Sequence, residues 1–319
     1  MSLSKTKQKQ LNGTKKKKFK IRKNNLQLFS MAVPGLALIL TFCYLPMFGI
    51  VLAFKKFKYN LGILGSPWCG LDNLEFFINS GTLGRLLKNT VGLNLVFLIC
   101  NTIATVVLAL LLYEVVNRVA IKTFQTIMFL PFVISWAAAS YALYANLSDV
   151  NGIVNGILTS MGQEKTVWYA EPEKWPVILL ICYLWKSVGF GMVVYYGNLI
   201  SVDKSYFEAA QLDGATRLQT MRYISFPFIR PIVTMFFILG LGKIFNSDFG
   251  LFYYLTKDSS LLYPATDVID TYVYRALRVT GNVGMSSAVG LCQSVIGFFV
   301  LLLTNRLARR FSDGGAMFW

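Results

Sequence analysis

Histidine is absent from this 319-residue sequence. That removes His-ligated metal sites and every nucleophile–histidine triad from consideration. Acidic residues are scarce as well, 15 Asp and Glu against 31 Lys and Arg, for a net charge of +16. A membrane-embedded enzyme such as a lipid-linked glycosyltransferase needs carboxylates or a metal gathered at the membrane face, and the acids here are dispersed. Cysteine excludes a further class. Cys43, Cys100, Cys182 and Cys292 lie in apolar runs, and Cys69 reads as the water-exposed one. An odd, scattered set gives neither a disulfide framework nor metal-ligand spacing. Charge is thin overall, at 14% of residues where soluble domains carry about 25%.

What is abundant is apolar sequence, 55% of the chain at a mean hydropathy of +0.53. A membrane-crossing helix needs about 20 such residues. Six candidate spans follow: Phe29–Phe54, Thr90–Val115, Phe124–Tyr144, Pro176–Ile200, Pro227–Phe245 and Met285–Leu303. The fold class expected is an all-α membrane protein with six transmembrane helices. A basic tail over 1–25 precedes a membrane domain over 26–319.

The net charge has the size of a nucleic-acid signature but the wrong distribution. Residues 1–23 hold Lys5, Lys7, Lys9, Lys15, Lys16, Lys17, Lys18, Lys20, Arg22 and Lys23 with no acid. Such a block ahead of an apolar stretch marks the cytoplasmic side of a membrane and is held by anionic lipid. With an even number of spans, both termini are expected to be cytoplasmic. Arg118, Lys122, Arg306, Arg309 and Arg310 agree, and the acid-rich segment Asn146–Trp175 falls outside. Lys55, Lys56 and Lys58 disagree, since they follow span 1 on the outer side. In the outer loops, Val150, Ile153, Val154, Ile157 and Leu158 predict a short interfacial helix, and Trp68, Phe76 and Phe77 suit the headgroup level.

The segment with a signature lies between spans 4 and 5, SVDKSYFEAAQLDGATRLQTMRYISF, followed by Pro227. It predicts two short helices at a corner. Asp203 is an N-cap candidate, and Ser205 with Glu208 has the spacing of a capping box. Gly214 is placed to end the first helix in the left-handed conformation. A second helix runs from about Thr216 toward Ile224, and Pro227 opens span 5 where a missing amide does no harm. Paired Ala209 and Ala210 permit close approach of another backbone, Tyr206 and Phe207 offer anchors, and Glu208 is a lone charge for a partner cation. A plain helical connection between two spans has the same pattern.

The resemblance decides between them. The segment resembles the EAA loop of binding-protein-dependent ABC importer permeases: Glu-Ala-Ala, three residues, Gly, nine residues, Ile-x-Leu-Pro. Glu208-Ala209-Ala210, Gly214, Ile224 and Pro227 keep that spacing, with Phe226 in the leucine position. The resemblance implies a type I ABC importer permease fold in a bacterial cytoplasmic membrane, with the loop at 201–227 seated in a cleft of an ATPase subunit. Glu208 would pair with that ATPase, Ala209 and Ala210 would pack in its cleft, and Gly214, beside Asp213, would make the corner. Further stretches are similar to the LplB-like, polysaccharide-type branch of carbohydrate permeases. They are Gly65-Ser66-Pro67-Trp68 with Gly70-Leu71, the run from Asp267 to Arg275, and Gln293-Ser294-Val295-Ile296-Gly297. Implied partners are a second permease subunit, two ATPase copies, an extracytoplasmic binding protein and an oligosaccharide. The chain has no Gly-x4-Gly-Lys-[Ser/Thr] phosphate loop, since Gly242-Lys243 lacks the earlier glycine and the hydroxyl. ATP and magnesium are therefore expected on the separate ATPase, and this chain is not itself an enzyme.

Two alternatives stay open: an ABC permease for a non-sugar solute, and an ion-coupled secondary transporter. The latter usually shows inverted repeats and broken helices, neither of which is evident in the sequence. For the substrate, polar groups inside spans are the candidates, because a lysine at a helix centre costs about 2.5–3.5 kcal/mol to insert. Lys186 lies among Tyr183, Trp185, Tyr195 and Tyr196, a pattern suited to stacking on and hydrogen bonding a sugar. It equally suits a lysine bonded to a neighbouring helix. Asn246 and Asp248, with Lys243, close span 5, and Trp136, Tyr141 and Gln293 are weaker candidates.

Overall fold

In the computed structural model, residues 23–79 and 81–311 are described. Residues 1–22 and the side chains of Lys23, Phe76, Arg309 and Arg310 lie outside the described residues. The chain divides into two compact units, Met1–Gly49 and Ile50–Trp319. The first contains helix α1 (Lys23–Ile39), which continues through a π-helical turn at Leu40–Tyr44 into a 3₁₀ stretch, Leu45–Phe54, that runs on past the unit boundary. Its large apolar side chains, Met31, Phe42 and Phe48 among them, are exposed, as a lipid-facing helix requires.

The second unit holds α2 (Gly62–Gly65), α3 (Asp72–Ile78), α4 (Leu83–Tyr113), α5 (Arg118–Val133), α6 (Trp136–Leu147), α7 (Ile153–Ser160), α8 (Trp175–Leu199) and α9 (Ser205–Leu212). It continues with α10 (Arg217–Thr220), α11 (Phe226–Gly242), α12 (Phe249–Tyr254), α13 (Tyr263–Thr266), α14 (Ile269–Thr280) and α15 (Val283–Phe311). Among the described residues there is no strand, only one bridge between Lys55 and Trp68. Helix α8 packs along α4 and α5, and α11 packs along α15.

Five continuous segments are long and apolar enough to cross a membrane: Phe29–Phe54, Leu83–Tyr113, Pro172–Leu199, Arg217–Gly242 and Val283–Arg306. The predicted third span is not one helix. It is α5 and α6, meeting at 98° across Ile134 and Ser135. The cause is local. Pro131 weakens the last turn of α5, and the Ser135 hydroxyl accepts the Ala138 amide at 3.2 Å, starting a new helix in a new direction. A broken helix is thus present where none was evident in the sequence.

The fifth span also differs from expectation. It begins ten residues before Pro227, because α10 passes through a π-helical turn, Met221–Ser225, directly into α11. In that turn the Phe226 amide bonds the Met221 carbonyl, five residues back. Pro227 therefore lies inside a continuous helix rather than opening one. The span ends at Gly242, leaving Lys243, Asn246 and Asp248 beyond the helix.

Away from the EAA loop, the loops fold over their own core. Trp175, Leu179, Leu251, Phe252, Leu255, Leu262 and Val268 are buried together. Each such side chain contributes about 1.5–3 kcal/mol where its surroundings would otherwise be water. The predicted interfacial helix is α7. Two readings of the outer loops are corrected. Phe77 is buried against Leu86, Ile269 and Met285, not at a surface. Cys69 is half-buried and accepts from the Asn73 amide. The discordant Lys55 is buried too, its ammonium donating to the Ile63 and Leu64 carbonyls at 3.0 and 2.8 Å, at the end of α2. A lysine that satisfies a helix C-terminus carries little topological weight, which removes part of the conflict.

Candidate functional site

Two regions gather the residues singled out above. The first is the loop between α8 and α11. Helix α9 starts behind Lys204, whose backbone is already helical and whose side chain caps nothing, and Asp203 supplies the expected capping bond: its carboxylate accepts the Ser205 amide at 2.9 Å, which holds that carboxyl below the usual range. Ser205 and Glu208 form no capping box. At the other end α9 closes as a Schellman motif. The Ala215 amide bonds the Ala210 carbonyl at 2.9 Å, the Gly214 amide bonds Gln211 at 3.1 Å, and Gly214 has φ +77°. Helix α10 starts on a capping box, with Thr216 and Gln219 exchanging side-chain-to-backbone bonds.

Packing sorts the loop's side chains. Phe207 turns inward onto Tyr113 at the end of α4, ring centroids 5.2 Å apart, and Tyr206 lies edge-on to Phe228 of α11 at 5.5 Å. These aromatics tie the loop to its own bundle. Glu208 and Ala209 are exposed and Ala210 is half-buried. The Glu208 carboxylate makes no hydrogen bond or ion pair among the described residues, and Glu208 borders a recess of about 410 Å³ with Glu114, Lys204 and Arg217. Leu212 is 89% exposed and Leu218 74%. The sequence reading passed over both leucines, although two apolar side chains flanking a charged corner are a signal for a protein contact. Ile224 is half-buried and Pro227 exposed on the helix that follows.

The second region is the break in span 3. Lys186 of α8 donates to the carbonyls of Phe132 (3.0 Å) and Ile134, left without a backbone donor where α5 ends, and to that of Pro131 (3.3 Å), which also accepts the Ile134 amide. Its ammonium also lies over the Trp136 ring, 5.2 Å from the centroid. Of the two readings of Lys186, the geometry provides the helix partner. Replacing Lys186 with methionine strips the Phe132 and Ile134 carbonyls of their donor and leaves Pro131 with the Ile134 amide alone. The expected loss is about 1–3 kcal/mol, read as lowered thermal stability of the purified chain in detergent, with Lys186→Arg milder.

Trp136 continues the link, its indole donating to Asp248 Oδ2 at 2.7 Å, while Asp248 Oδ1 caps α12 through the Gly250 and Leu251 amides. Nearby, Asn94 of α4 donates to the carbonyls of Ile244 and Asn246, and Gln293 donates to Phe245 at 2.7 Å. Tyr183, Lys243, Asn246 and Asp248 border one cavity of about 380 Å³. Tyr195 borders a second of about 390 Å³, and the two share Leu98, Tyr183, Gly240 and Lys243. Trp185, Tyr196 and Tyr141 border neither. Tyr196 packs edge-on to Tyr113, which Phe207 of the α8–α11 loop also meets. Asn101 and Thr105 of α4 do border the second cavity; the sequence reading omitted them because amides and hydroxyls inside a span usually join helices.

Comparison with known proteins identifies the family. Residues 91–313 match the model of the binding-protein-dependent transport system inner membrane component family. Protein LplB of Bacillus subtilis (strain 168) is 32% identical over 293 residues, 92% of each chain. The polygalacturonan/rhamnogalacturonan transport system permease protein YteP of the same organism is 32% identical over 288 residues, covering 90% of this chain and 89% of YteP. A crystal structure of a bacterial ABC transporter involved in the import of the acidic polysaccharide alginate superposes with a TM-score of 0.82 at 30% identity, over 91% of this chain and 98% of that one. A second, of a bacterial alginate transporter in complex with a periplasmic protein bound to alginate pentasaccharide, gives 0.82 at 29%. The chain belongs to the family of binding-protein-dependent transport system inner membrane components, and its all-helical fold is that of an ABC importer permease.

Proposed function

We propose that this chain is the permease subunit of an ATP-driven oligosaccharide importer, and that the loop at 201–227 receives the force of ATP hydrolysis in a separate subunit. The observation that carries this is the loop itself: an exposed, unpartnered Glu208 on a helix ended by a left-handed Gly214, flanked by exposed Leu212 and Leu218. Tyr206 and Phe207 hold that surface to the bundle. ATP and magnesium belong to the ATPase partners. A second permease subunit and an extracytoplasmic binding protein complete the assembly, and the loop face with both termini is cytoplasmic.

The mechanism follows from one continuous helix. Arg217–Gly242 is 26 residues, about 39 Å at 1.5 Å per residue. A displacement of the corner at Gly214 therefore reaches Lys243, Asn246 and Asp248 at its far end. Asp248 passes it to Trp136 and the break in span 3. ATP binding acts by favouring one of two arrangements of these elements, because it closes the ATPase against only one of them. The names of YteP and of the alginate transporter support a saccharide cargo.

The test is Glu208→Arg in the complex with its ATPase, reconstituted in lipid. Substrate-stimulated hydrolysis is expected to vanish while the chain still inserts normally. Unchanged ATPase binding and stimulation would overturn the proposal. Uptake that persists without the ATPase and collapses with the ion gradient would install the secondary-transporter reading instead.

A further inference from the structure

The two cavities along α4, α8 and α11 meet at Lys243, and the charges around that residue are unequal. Asp248 has both carboxylate oxygens engaged, one by the Trp136 indole and the other by the Gly250 and Leu251 amides. Lys186 is turned to the carbonyls at the end of α5. Lys243 is exposed, and its ammonium makes no hydrogen bond or ion pair among the described residues. The recess thus presents one uncommitted cation and no uncommitted carboxylate.

Thr105 and Asn101 also border the cavity that Lys243 closes, but the Thr105 hydroxyl and the Asn101 Oδ1 are themselves buried and take no part in its open surface. Each cavity is within the range of about 300–1,000 Å³ that holds small ligands. Tyr183, stacked on Phe97 at 5.1 Å, gives the shared wall a flat aromatic side.

We propose that this recess is a saccharide site selective for sugars carrying carboxylates, with Lys243 as the selecting residue. This rests on the importer reading above and adds the charge class of the cargo. An ammonium–carboxylate contact is charge-assisted and about twice as strong as a neutral hydrogen bond. Tyr183, on the wall the two cavities share, offers its ring to acidic and neutral sugars alike. Lys243 alone separates the two.

The experiment uses the complete complex in proteoliposomes: this chain, its partner permease, the ATPases and the binding protein. Uptake is measured for short oligomers of galacturonate and of mannuronate, and for their neutral methyl esters. Wild type is expected to favour the acidic forms. Lys243→Gln should lower acidic uptake about tenfold and leave ester uptake unchanged, as expected when a buried charge loses the group that answers it. Lys243→Arg should restore the preference. Equal loss for acid and ester, no loss for either, or a wild-type preference for the ester overturns the proposal. Uptake of neither class, with ATPase stimulation still sensitive to Glu208→Arg, overturns the saccharide cargo and this selectivity together but leaves the importer standing. Insensitivity to Glu208→Arg removes the importer reading itself.

Discussion

A Gly189→Ala chain is expected to lose its assembled membrane bundle. Gly189 lies on α8 where that helix meets α5. A methyl group there would be 1.8 Å from the Met128 carbonyl oxygen and 2.4 Å from the carbon of the same group. The obstacle is backbone, so no side-chain rotation relieves it, and the helices must separate. Close approach through small residues is what packs membrane helices, since lipid offers no hydrophobic drive between them. Separation also draws Lys186, one turn away on α8, from the carbonyls of Pro131, Phe132 and Ile134, leaving the last two without a donor. Overpacking alone costs about 1–3 kcal/mol, and the lost lysine contacts add to it. Two neighbours calibrate the result. At Gly191 the added methyl meets only the Thr105 side chain, at 2.7 Å, and at Gly197 it meets nothing within 4 Å. The expected order of monodisperse yield and thermal stability in detergent is therefore wild type, Gly197→Ala, Gly191→Ala, and Gly189→Ala far below. If Gly189→Ala behaves like Gly197→Ala, the α5–α8 contact is misplaced.

The same residues explain how far the sequence could be read. The loop at 201–227 was legible where its information is local: Gly214 needs a left-handed backbone, and the Glu-Ala-Ala spacing marks the surface; the capping box was read at Ser205 and Glu208 but forms at Thr216 and Gln219. The spans were legible because about 20 apolar residues in a row have few alternatives. Hydropathy averages over a window, and so it ran across Ile134 and Ser135, two residues that turn the chain through 98°. Pro131 and Ser135 were the available signal. Lys186 was correctly marked as unusual, but its partners are backbone carbonyls from more than fifty residues away, which no spacing encodes. Asn101 and Thr105 escaped for a related reason. Whether an intramembrane hydroxyl joins helices or faces a cavity depends on the neighbours, not on the residue.

The run from Asp267 to Arg275 was read only as family resemblance, and its physics, with Asp258 added by the fold, yields the other large effect. Arg275 Nη1 pairs with Asp258 at 2.8 Å, and Nη2 pairs with Asp267, whose side chain is 1% exposed. Arg275 also lies over the Tyr263 ring at 4.1 Å, and the Tyr263 hydroxyl bonds Asp258 Oδ1 at 3.1 Å. Asp258 and Lys257 have φ of +50° and +53°, a conformation non-glycine residues hold only when their surroundings fix it. Arg275→Gln removes one cation from two carboxylates and loosens that turn. The expected loss is about 3–5 kcal/mol, the cost of stranding a buried charge. Arg85, 3.6 Å from the other oxygen of Asp267 and partly exposed, offsets only some of it. Arg275→Lys should rescue little, because a single ammonium cannot span the two carboxylates that the guanidinium fork reaches. The decisive measurement is the thermal unfolding of Arg275→Gln against the double variant Arg275→Met with Asp267→Leu. A structural ion pair predicts that the double variant is the more stable of the two, because the fully buried carboxylate is gone and Asp258, 27% exposed, keeps the Tyr263 hydroxyl. A double variant that falls as far as the single one would mean instead that the arginine acts through its stacking on Tyr263.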